Sequence, residues 1–99
     1  MAKIEVHSHA LKHGLSEDDV RYAWEHFVIK RPRDVDYWVA IGFDARGREI
    51  ELVAVECANA TFLIIHAMSP ATKSIKQELG YGRGQKYGIR TQKRRRFNR

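Results

Sequence analysis

The feature that most constrains this chain is an amphipathic helix signal in its first third. Ser16 is a good N-cap, and the acidic residues at 17–19 suit the positively polarised first turn of a helix. Apolar residues then recur at spacings of three and four, which places them on one helical face: Val20, Ala23, Trp24, Phe27 and Val28. Because Pro32 cannot continue a helix, the pattern predicts a helix over residues 17–30, with Trp24 and Phe27 in the core.

The residues that follow predict three β-strands. Apolar and polar residues alternate over residues 36–43 and 49–56, and the turn between them contains Gly47, which can take a positive φ. The second of these strands is expected to be half-buried, with a polar face of glutamates. Residues 61–68 are β-branched and apolar, which is typical of a strand that is buried on both faces. An antiparallel meander with the helix packed on one face is the expected assembly.

A last helix is predicted over residues 70–80. The pair Ser69-Pro70 supplies a favourable cap and first residue, Ile75 and Leu79 are its apolar contacts, and Gly80 ends it. The expected fold class is therefore α+β: an amphipathic helix packed on a small antiparallel β-meander, a C-terminal helix, and then a basic tail.

The basic residues are distributed unevenly along the chain. The 99 residues carry a net charge of +6, and residues 81–99 contain eight of the 18 Lys and Arg but none of the 12 acidic residues. Residues 1–80 are therefore close to neutral and long enough for one small core. The C-terminal segment is rich in glycine and has too few apolar residues to fold alone. We expect a domain at residues 1–80 followed by a flexible basic arm at residues 81–99.

The arm is suited to a polyanionic partner. Lys and Arg side chains neutralise phosphates and release counterions, and Tyr81, Tyr87 and Phe97 lie among them as candidates for stacking on bases. The candidate nucleic-acid-binding residues of the arm are Arg83, Lys86, Arg90, Lys93, Arg94, Arg95 and Arg96. The same charge would suit an acidic protein partner, or serve only as a solubilising tail.

Composition argues against a membrane or secreted protein. No apolar run approaches the ~20 residues of a membrane span, and the N-terminus lacks the basic-then-apolar layout of a signal peptide. The single cysteine, Cys57, cannot form an internal disulfide, which suits a reducing compartment. We therefore expect a cytoplasmic location and no membrane partner.

Histidines are candidate proton-transfer groups, because imidazole titrates near neutral pH. His13 lies just before the first helix, and His66 interrupts the apolar strand. A histidine in such a strand is often a core residue with one hydrogen bond; otherwise it marks a site at the edge of the sheet. His7, His9 and His13 also suggest a metal site, but the sequence offers no convincing further ligands, so no metal or other cofactor is expected.

The predicted hairpin carries a second group of candidates. Arg46, Arg48, Glu49 and Glu51 cluster there, and Arg48 could stabilise the charge of a scissile phosphate while one of the two strand carboxylates acts as a base. Exposed charges on hairpins more often serve solubility, and that interpretation stays open.

The order of several short motifs resembles the BrnT-like toxins of the RelE/ParE superfamily. The segment Lys12-His13-Gly14-Leu15-Ser16 leads into the first helix, like the family's KHG segment followed by an aliphatic residue and serine. The later motifs correspond to the family's hairpin and strands: Ile41-Gly42, Gly47-Arg48, Leu52-Val53 and Ile64-Ile65-His66-Ala67. The match covers residues 7–80 and depends on order and spacing more than on any one motif.

The resemblance implies the toxin of a type II toxin–antitoxin pair, a compact protein that cleaves RNA without a metal. It implies mRNA, free or at the ribosome, as the substrate and a cognate antitoxin as the protein partner. Carried over by position, it implies roles for Lys12, His13, Arg48 and Glu49. The family's last strand usually ends in arginine, where this chain has Met68. His66, Lys73 and Lys76 could replace the lost basic groups.

The sequence thus predicts a metal-independent endoribonuclease. Its expected catalytic residues are His13, Arg48, Glu49 and His66, and its expected phosphate contacts are Lys12, Lys73, Lys76 and the arm. Two alternatives remain. One is a non-catalytic RNA- or DNA-binding module with a basic arm, and the other is a ParE-like toxin that inhibits a protein target.

Overall fold

The computed structural model describes residues 3–82, which form a five-stranded sheet with a helix on each face. Its elements are β1 (Lys3–Val6), a 3₁₀ turn (Ser8–Leu11), α1 (Glu17–Glu25), β2 (Phe27–Asp34), β3 (Tyr37–Phe43), β4 (Glu49–Cys57), β5 (Thr61–Met68) and α2 (Lys73–Leu79). The predicted fold class, α+β, is confirmed. Neither helix among the described residues is long and apolar enough to span a membrane. The predicted arm contacts from Arg83 to Arg96 lie outside the described residues.

The strands lie in the order β1-β5-β4-β3-β2. Strands β2 to β5 form the antiparallel meander that was predicted for the centre of the chain. At one edge β1 runs parallel to β5, with Lys3 opposite Thr61 and Val6 opposite Ile64. The prediction of three strands was therefore incomplete, because it omitted β1 and β2. The short β1 shows too little alternation to be recognised from sequence, and it depends on β5 for its hydrogen bonds.

The predicted helix over residues 17–30 is wrong in its last five residues. α1 ends at Glu25, and the chain from Phe27 onward pairs with β3 as an edge strand. Phe27 was predicted to be a core residue, but 44% of its surface is exposed. Val28, which was predicted on the same face, is also exposed, whereas Val20, Ala23 and Trp24 are buried as predicted. Helical spacing of apolar residues cannot exclude a strand that starts at the end of the helix, and pairing with β3 decides the conformation.

Lys30 on β2 is held against aromatic rings. Its Nζ atom lies 4.5–5.6 Å from the centres of four of them, those of Trp24, Phe27, Trp38 and Phe62. A cation over aromatic faces is attracted by the ring quadrupoles. With β2 extended along β3, this contact joins β2 to α1, β3 and β5.

The sheet separates two hydrophobic cores. The larger core lies beneath α1 and includes Val20, Trp24, Leu52, Ala54 and Ile64. The smaller core lies beneath α2 and includes Val39, Ile41, Ala71, Ile75 and Leu79. On the α1 side, Gly42 allows the helix to approach β3 closely, because a Cβ there would collide with the carbonyl oxygen of Ala23. The two cores fix both helices relative to the sheet.

α2 begins later than predicted. Its N-cap is Thr72 and its first residue is Lys73, so the Ser69-Pro70 pair belongs to the connection from β5 and not to the helix. The hydroxyl of Thr72 accepts a hydrogen bond from the N–H of Ile75 and satisfies a donor of the first turn. The predicted end is confirmed, because Gly80 adopts the left-handed conformation with a φ of 70°.

The polar face of β4 is covered, although an exposed face was expected. Glu51 is only 4% exposed, because the residues that lead into α2 pack over it. β5 was expected to be buried on both faces, but several of its residues, including His66, are only partly buried. The position of α2 on this side of the sheet decides both outcomes, and it also creates a groove.

Candidate functional site

A groove of about 450 Å³ opens between the sheet and the start of α2. Its walls come from four strands and the helix, and include Arg33, Tyr37, Glu51, His66 and Thr72. The side chains of successive paired strands meet here because they occupy the same face of the sheet. The groove therefore combines cationic, aromatic, carboxylate and imidazole groups in one concave surface.

Glu51 and His66 form the polar centre of the groove. The Oε2 atom of Glu51 lies 2.7 Å from Nε2 of His66. Its Oε1 atom accepts hydrogen bonds from the N–H of Thr72 at 2.6 Å and from the Thr72 hydroxyl at 2.8 Å. Burial raises the pKa of Glu51, but the hydrogen bonds from Thr72 and His66 outweigh burial and leave the pKa below its ordinary value. The carboxylate is therefore ionised at neutral pH.

An ionised Glu51 determines the tautomer of His66. Because a carboxylate can only accept hydrogen bonds, the Nε2 atom of His66 must carry the hydrogen. In the neutral ring Nδ1 then keeps its lone pair, and the His66 side chain is 31% exposed to the groove. A carboxylate–imidazole pair of this kind can take a proton from a bound hydroxyl, since the carboxylate stabilises the resulting imidazolium.

The structure brings His13 next to His66. The two ring centres are 5.7 Å apart and the planes meet at 80°. β1 runs parallel to β5, so the chain that leaves β1 emerges near the end of β5 that carries His66. The 3₁₀ turn and the left-handed Gly14 then lead the chain back into α1. Lys12, the neighbour of His13, is exposed.

Glu49 lies on the same face of β4 as Glu51, two residues earlier. Its Oε1 atom accepts a hydrogen bond from the N–H of Ala71 at 3.2 Å and lies 3.1 Å from Nζ of Lys76. Lys76 and Lys73 also line a second cavity, of about 410 Å³, on the surface of α2. The predicted residues Glu49 and Lys76 are thus in direct contact, next to the Glu51–His66 pair.

The structure does not bring Arg48 to His66. Its Nε atom lies 2.6 Å from Oδ2 of the buried Asp44, and its Nη2 atom lies 2.9 Å from Oδ2 of Asp19. Asp19 belongs to α1, so the guanidinium of Arg48 lies on the α1 side of the sheet, whereas the contacts of Glu49 lie on the α2 side. Burial raises the pKa of Asp44, but hydrogen bonds from the backbone and side chain of Arg48 outweigh it and lower the pKa.

Sequence reasoning did not select two polar groups of the groove as site residues. Glu51 was grouped with the charges of the hairpin, and only the register of β4 with β5, in which Val53 lies opposite His66, shows that it reaches the histidine. Arg33 stands just after Pro32 and belongs to no recognisable motif. Its Nε and Nη2 atoms donate to the two carboxylate oxygens of Glu78 on α2, at 2.9 and 2.8 Å. No pattern among neighbouring residues in the sequence predicts a contact between residues 45 positions apart.

His7 and His9 lie together at the 3₁₀ turn, with ring centres 6.0 Å apart. His7 caps the 3₁₀ turn, with its Nδ1 atom accepting a hydrogen bond from the N–H of His9 at 3.0 Å. Within residues 3–82, no three His, Cys, Asp or Glu side chains are grouped so as to bind one metal ion.

Comparison with known proteins supports the fold. The sequence matches no protein-family model and has no significant match among curated proteins. The structure is similar to the crystal structure of BrnT, a ribonuclease toxin of Brucella abortus, with a TM-score of 0.54 and 22% sequence identity. The match covers 73% of this chain and 100% of the Brucella chain. At this identity the similarity shows a common fold.

Proposed function

We propose that this chain is the toxin of a type II toxin–antitoxin pair, acting in the cytoplasm, and that it cleaves RNA at the groove of Glu51 and His66. The observation that carries the proposal is the 2.7 Å contact between a buried, ionised Glu51 and a partly exposed His66 in an open groove. The Brucella protein of similar fold is described as a ribonuclease toxin, which supports the same class of reaction here. The motifs that resemble BrnT-like toxins of the RelE/ParE superfamily support it independently.

The nucleophile in the proposed reaction is the ribose 2′-hydroxyl, and no metal takes part. The Nδ1 atom of His66 accepts the hydroxyl proton while the oxygen bonds to phosphorus, and Glu51 stabilises the imidazolium. The bond from phosphorus to the 5′-oxygen then breaks, and this oxygen takes a proton from the imidazolium of His13. The products are a 2′,3′-cyclic phosphate and a 5′-hydroxyl.

We assign the positive charge that stabilises the phosphorane to three lysines that neighbour the groove but do not line it. Lys76 is held by Glu49, Lys73 lies one turn earlier on the same helix, and Lys12 is exposed beside His13. In this scheme Glu49 positions Lys76, because its Oε1 atom is already engaged by that lysine and by a backbone N–H. Basic residues of the arm add contacts to phosphates farther along the RNA.

The direct test is cleavage of a labelled single-stranded RNA by the purified full chain in the presence of EDTA. The wild type is expected to cleave and to leave a 2′,3′-cyclic phosphate. His66→Ala should lower the rate by roughly 10²–10⁴-fold, the usual contribution of a general base. His26→Ala is the matched control, since His26 stacks on Tyr22 at 3.9 Å on α1. A rate that survives His66→Ala, or cleavage that vanishes with EDTA, would overturn this chemistry.

Expression in a host cell tests the toxin assignment separately. Growth arrest that is relieved by co-expression of the neighbouring gene supports a toxin with a cognate antitoxin, and decay of mRNA during arrest supports a ribonuclease. Arrest with intact RNA would favour a ParE-like toxin that inhibits a protein. RNA binding without cleavage or arrest would favour a non-catalytic binding module.

A further inference from the structure

We propose that Arg33 and Tyr37 form a nucleotide-binding subsite beside His66, and that this subsite accepts only an unpaired base. The inference rests on the proposed RNA cleavage for the nature of the ligand, and it deepens that proposal by naming single-stranded RNA as the substrate. Both residues line the same groove as Glu51 and His66. Neither belongs to the motifs that resemble the toxin family.

Arg33 presents an oriented cation to the groove. Its bidentate contact with Glu78 uses one edge of the guanidinium, at 2.9 and 2.8 Å, and holds the group in a fixed plane. Among residues 3–82, Nη1 has no hydrogen-bond partner, so the outer edge of the guanidinium remains for a phosphate oxygen. The side chain is 39% exposed, which leaves this edge accessible.

Tyr37 presents an aromatic ring to the same groove. It is the first residue of β3 and 41% of its surface is exposed. It belongs to neither hydrophobic core. An open ring beside a guanidinium suits a nucleotide, because the ring can stack on a base while the cation binds its phosphate. A base within a helix is already stacked and paired, so the ring can reach only an unpaired base.

The charges around Arg33 leave it able to bind an anion. The two acidic groups that act on it are Glu78 and Glu51. The hydrogen bonds that Arg33 donates to Glu78 and the negative charge of both carboxylates raise the pKa of Arg33, so the guanidinium stays charged. Both carboxylate oxygens of Glu51 already accept hydrogen bonds, from His66 and from Thr72. A phosphate at the free edge of Arg33 therefore leaves the Glu78 contact intact.

Binding of an uncleavable RNA tests the subsite without any catalytic step. The probe is a labelled single-stranded RNA with every 2′-hydroxyl methylated, compared with the same strand in a duplex, and anisotropy with the full chain gives Kd. Arg33→Gln should weaken single-strand binding by about tenfold or more, as expected for the loss of a charged hydrogen bond. Tyr37→Ala should weaken it by roughly five- to a hundredfold and abolish the preference for single strands, since stacking on a protein ring is worth that much per base.

Matched variants distinguish a loss of RNA binding at the subsite from the general effects of removing a charge or weakening the fold. Arg46→Gln removes the same charge from an exposed arginine that pairs with Asp19 on the α1 side, and it should leave Kd nearly unchanged. Tyr22→Ala removes an equally exposed tyrosine from α1 and should also have little effect. Glu78→Gln breaks the ion pair but keeps the cation, so it should retain binding even if the melting temperature falls.

The subsite is overturned if Arg33→Gln and Arg46→Gln change Kd equally, or if Tyr37→Ala weakens single-strand and duplex binding by the same factor. Equal loss of binding in Arg33→Gln and Glu78→Gln would also overturn it, because the ion pair would then act only through the position of α2. The outcome is independent of catalysis. If the wild type fails to cleave unmodified RNA but Arg33 and Tyr37 govern binding, the subsite stands and the catalytic assignment fails.

Discussion

The Oε2 atom of Glu51 lies 2.7 Å from Nε2 of His66 across two paired strands, although the residues are 15 positions apart in the chain. They are diagonal neighbours on one face, since His66 is opposite Val53 and Glu51 is opposite Met68. The other oxygen of the carboxylate binds Thr72, the N-cap of α2. One side chain thus links the candidate base to the helix that forms the opposite wall of the groove.

Glu51→Gln should lower the kcat of RNA cleavage by more than about tenfold while KM changes little. Glutamine keeps the size of the side chain and can still accept from Thr72, but it cannot stabilise the imidazolium of His66. Single-turnover cleavage measures the effect. Glu56→Gln is the control, because Glu56 is an exposed residue of the same strand that binds Trp38. An unchanged kcat in Glu51→Gln would show that the carboxylate has no part in proton transfer.

Arg48→Ala should lower the melting temperature more than Arg46→Ala does. Asp44 is 3% exposed and depends on Arg48 for its ionic partner, whereas Arg46 contacts it only through a backbone N–H. Thermal unfolding followed by circular dichroism measures the difference. A second variant, Arg48→Lys, tests the catalytic role that the motif predicts for Arg48. If Arg48→Lys loses cleavage at a temperature at which it is fully folded, that role is supported. If the cleavage rate of the variant falls only in proportion to its folded fraction, Arg48 has a structural role and no catalytic one.

Gly42→Ala should destabilise the protein by roughly 3 kcal/mol, at the upper end of the cost of overpacking. The added Cβ collides with the carbonyl oxygen of Ala23, which is backbone and cannot rotate away, so α1 must move from β3. Gly47→Ala is the comparison, because Gly47 has open space around it and a φ of 84°. This substitution should cost only the energy of placing an alanine in the left-handed conformation, roughly 1–2 kcal/mol. Urea unfolding that ranks Gly47→Ala as the more damaging change would contradict the close contact.

Trp24→Ala should cost roughly 3–5 kcal/mol, enough to unfold much of so small a domain. Trp24 is 4% exposed and packs against Phe62, with ring centres 5.4 Å apart. Phe27→Ala should cost less than about 2 kcal/mol, because the ring is almost half exposed. Chemical unfolding of the two variants compares them directly. Equal costs would mean that Phe27 is buried in solution and that α1 extends past Glu25.

Stability should fall as the pH drops below about 4, the ordinary pKa of a carboxyl group. Burial opposes ionisation of Asp44 and Glu51, but their hydrogen bonds outweigh it, and the hydrogen bond from Arg33 lowers the pKa of Glu78. Because these pKa values are lower in the folded protein, the unfolded chain binds protons first. The stabilisation is therefore complete above the ordinary pKa and is lost as the pH falls through the folded values. Urea midpoints between pH 7 and pH 2 measure this loss, and Glu51→Gln should show a shallower decline than the wild type.

Much of the local structure follows from neighbouring residues in the chain. The cap at Ser16, the buried face of Val20, Ala23 and Trp24, and the stop at Gly80 were all predicted correctly. Such signals are readable because capping, helical spacing and left-handed turns involve residues a few positions apart. The histidines were also selected from sequence, and the structure places His13 beside His66. Their catalytic roles remain predictions.

Only the tertiary structure decided the conformation of residues 27–34 and the burial of Glu51. The segment 27–34 carries apolar residues that fit a helix, and it is a strand because β3 offers it hydrogen bonds and its aromatic neighbours hold Lys30. Glu51 lies on a face that looks polar in sequence, and it is buried because α2 covers it. Register and coverage depend on which distant segments meet, and a single sequence records no such pairing. For that reason the chain alone indicated the histidine, and only the folded sheet revealed the carboxylate that orients it.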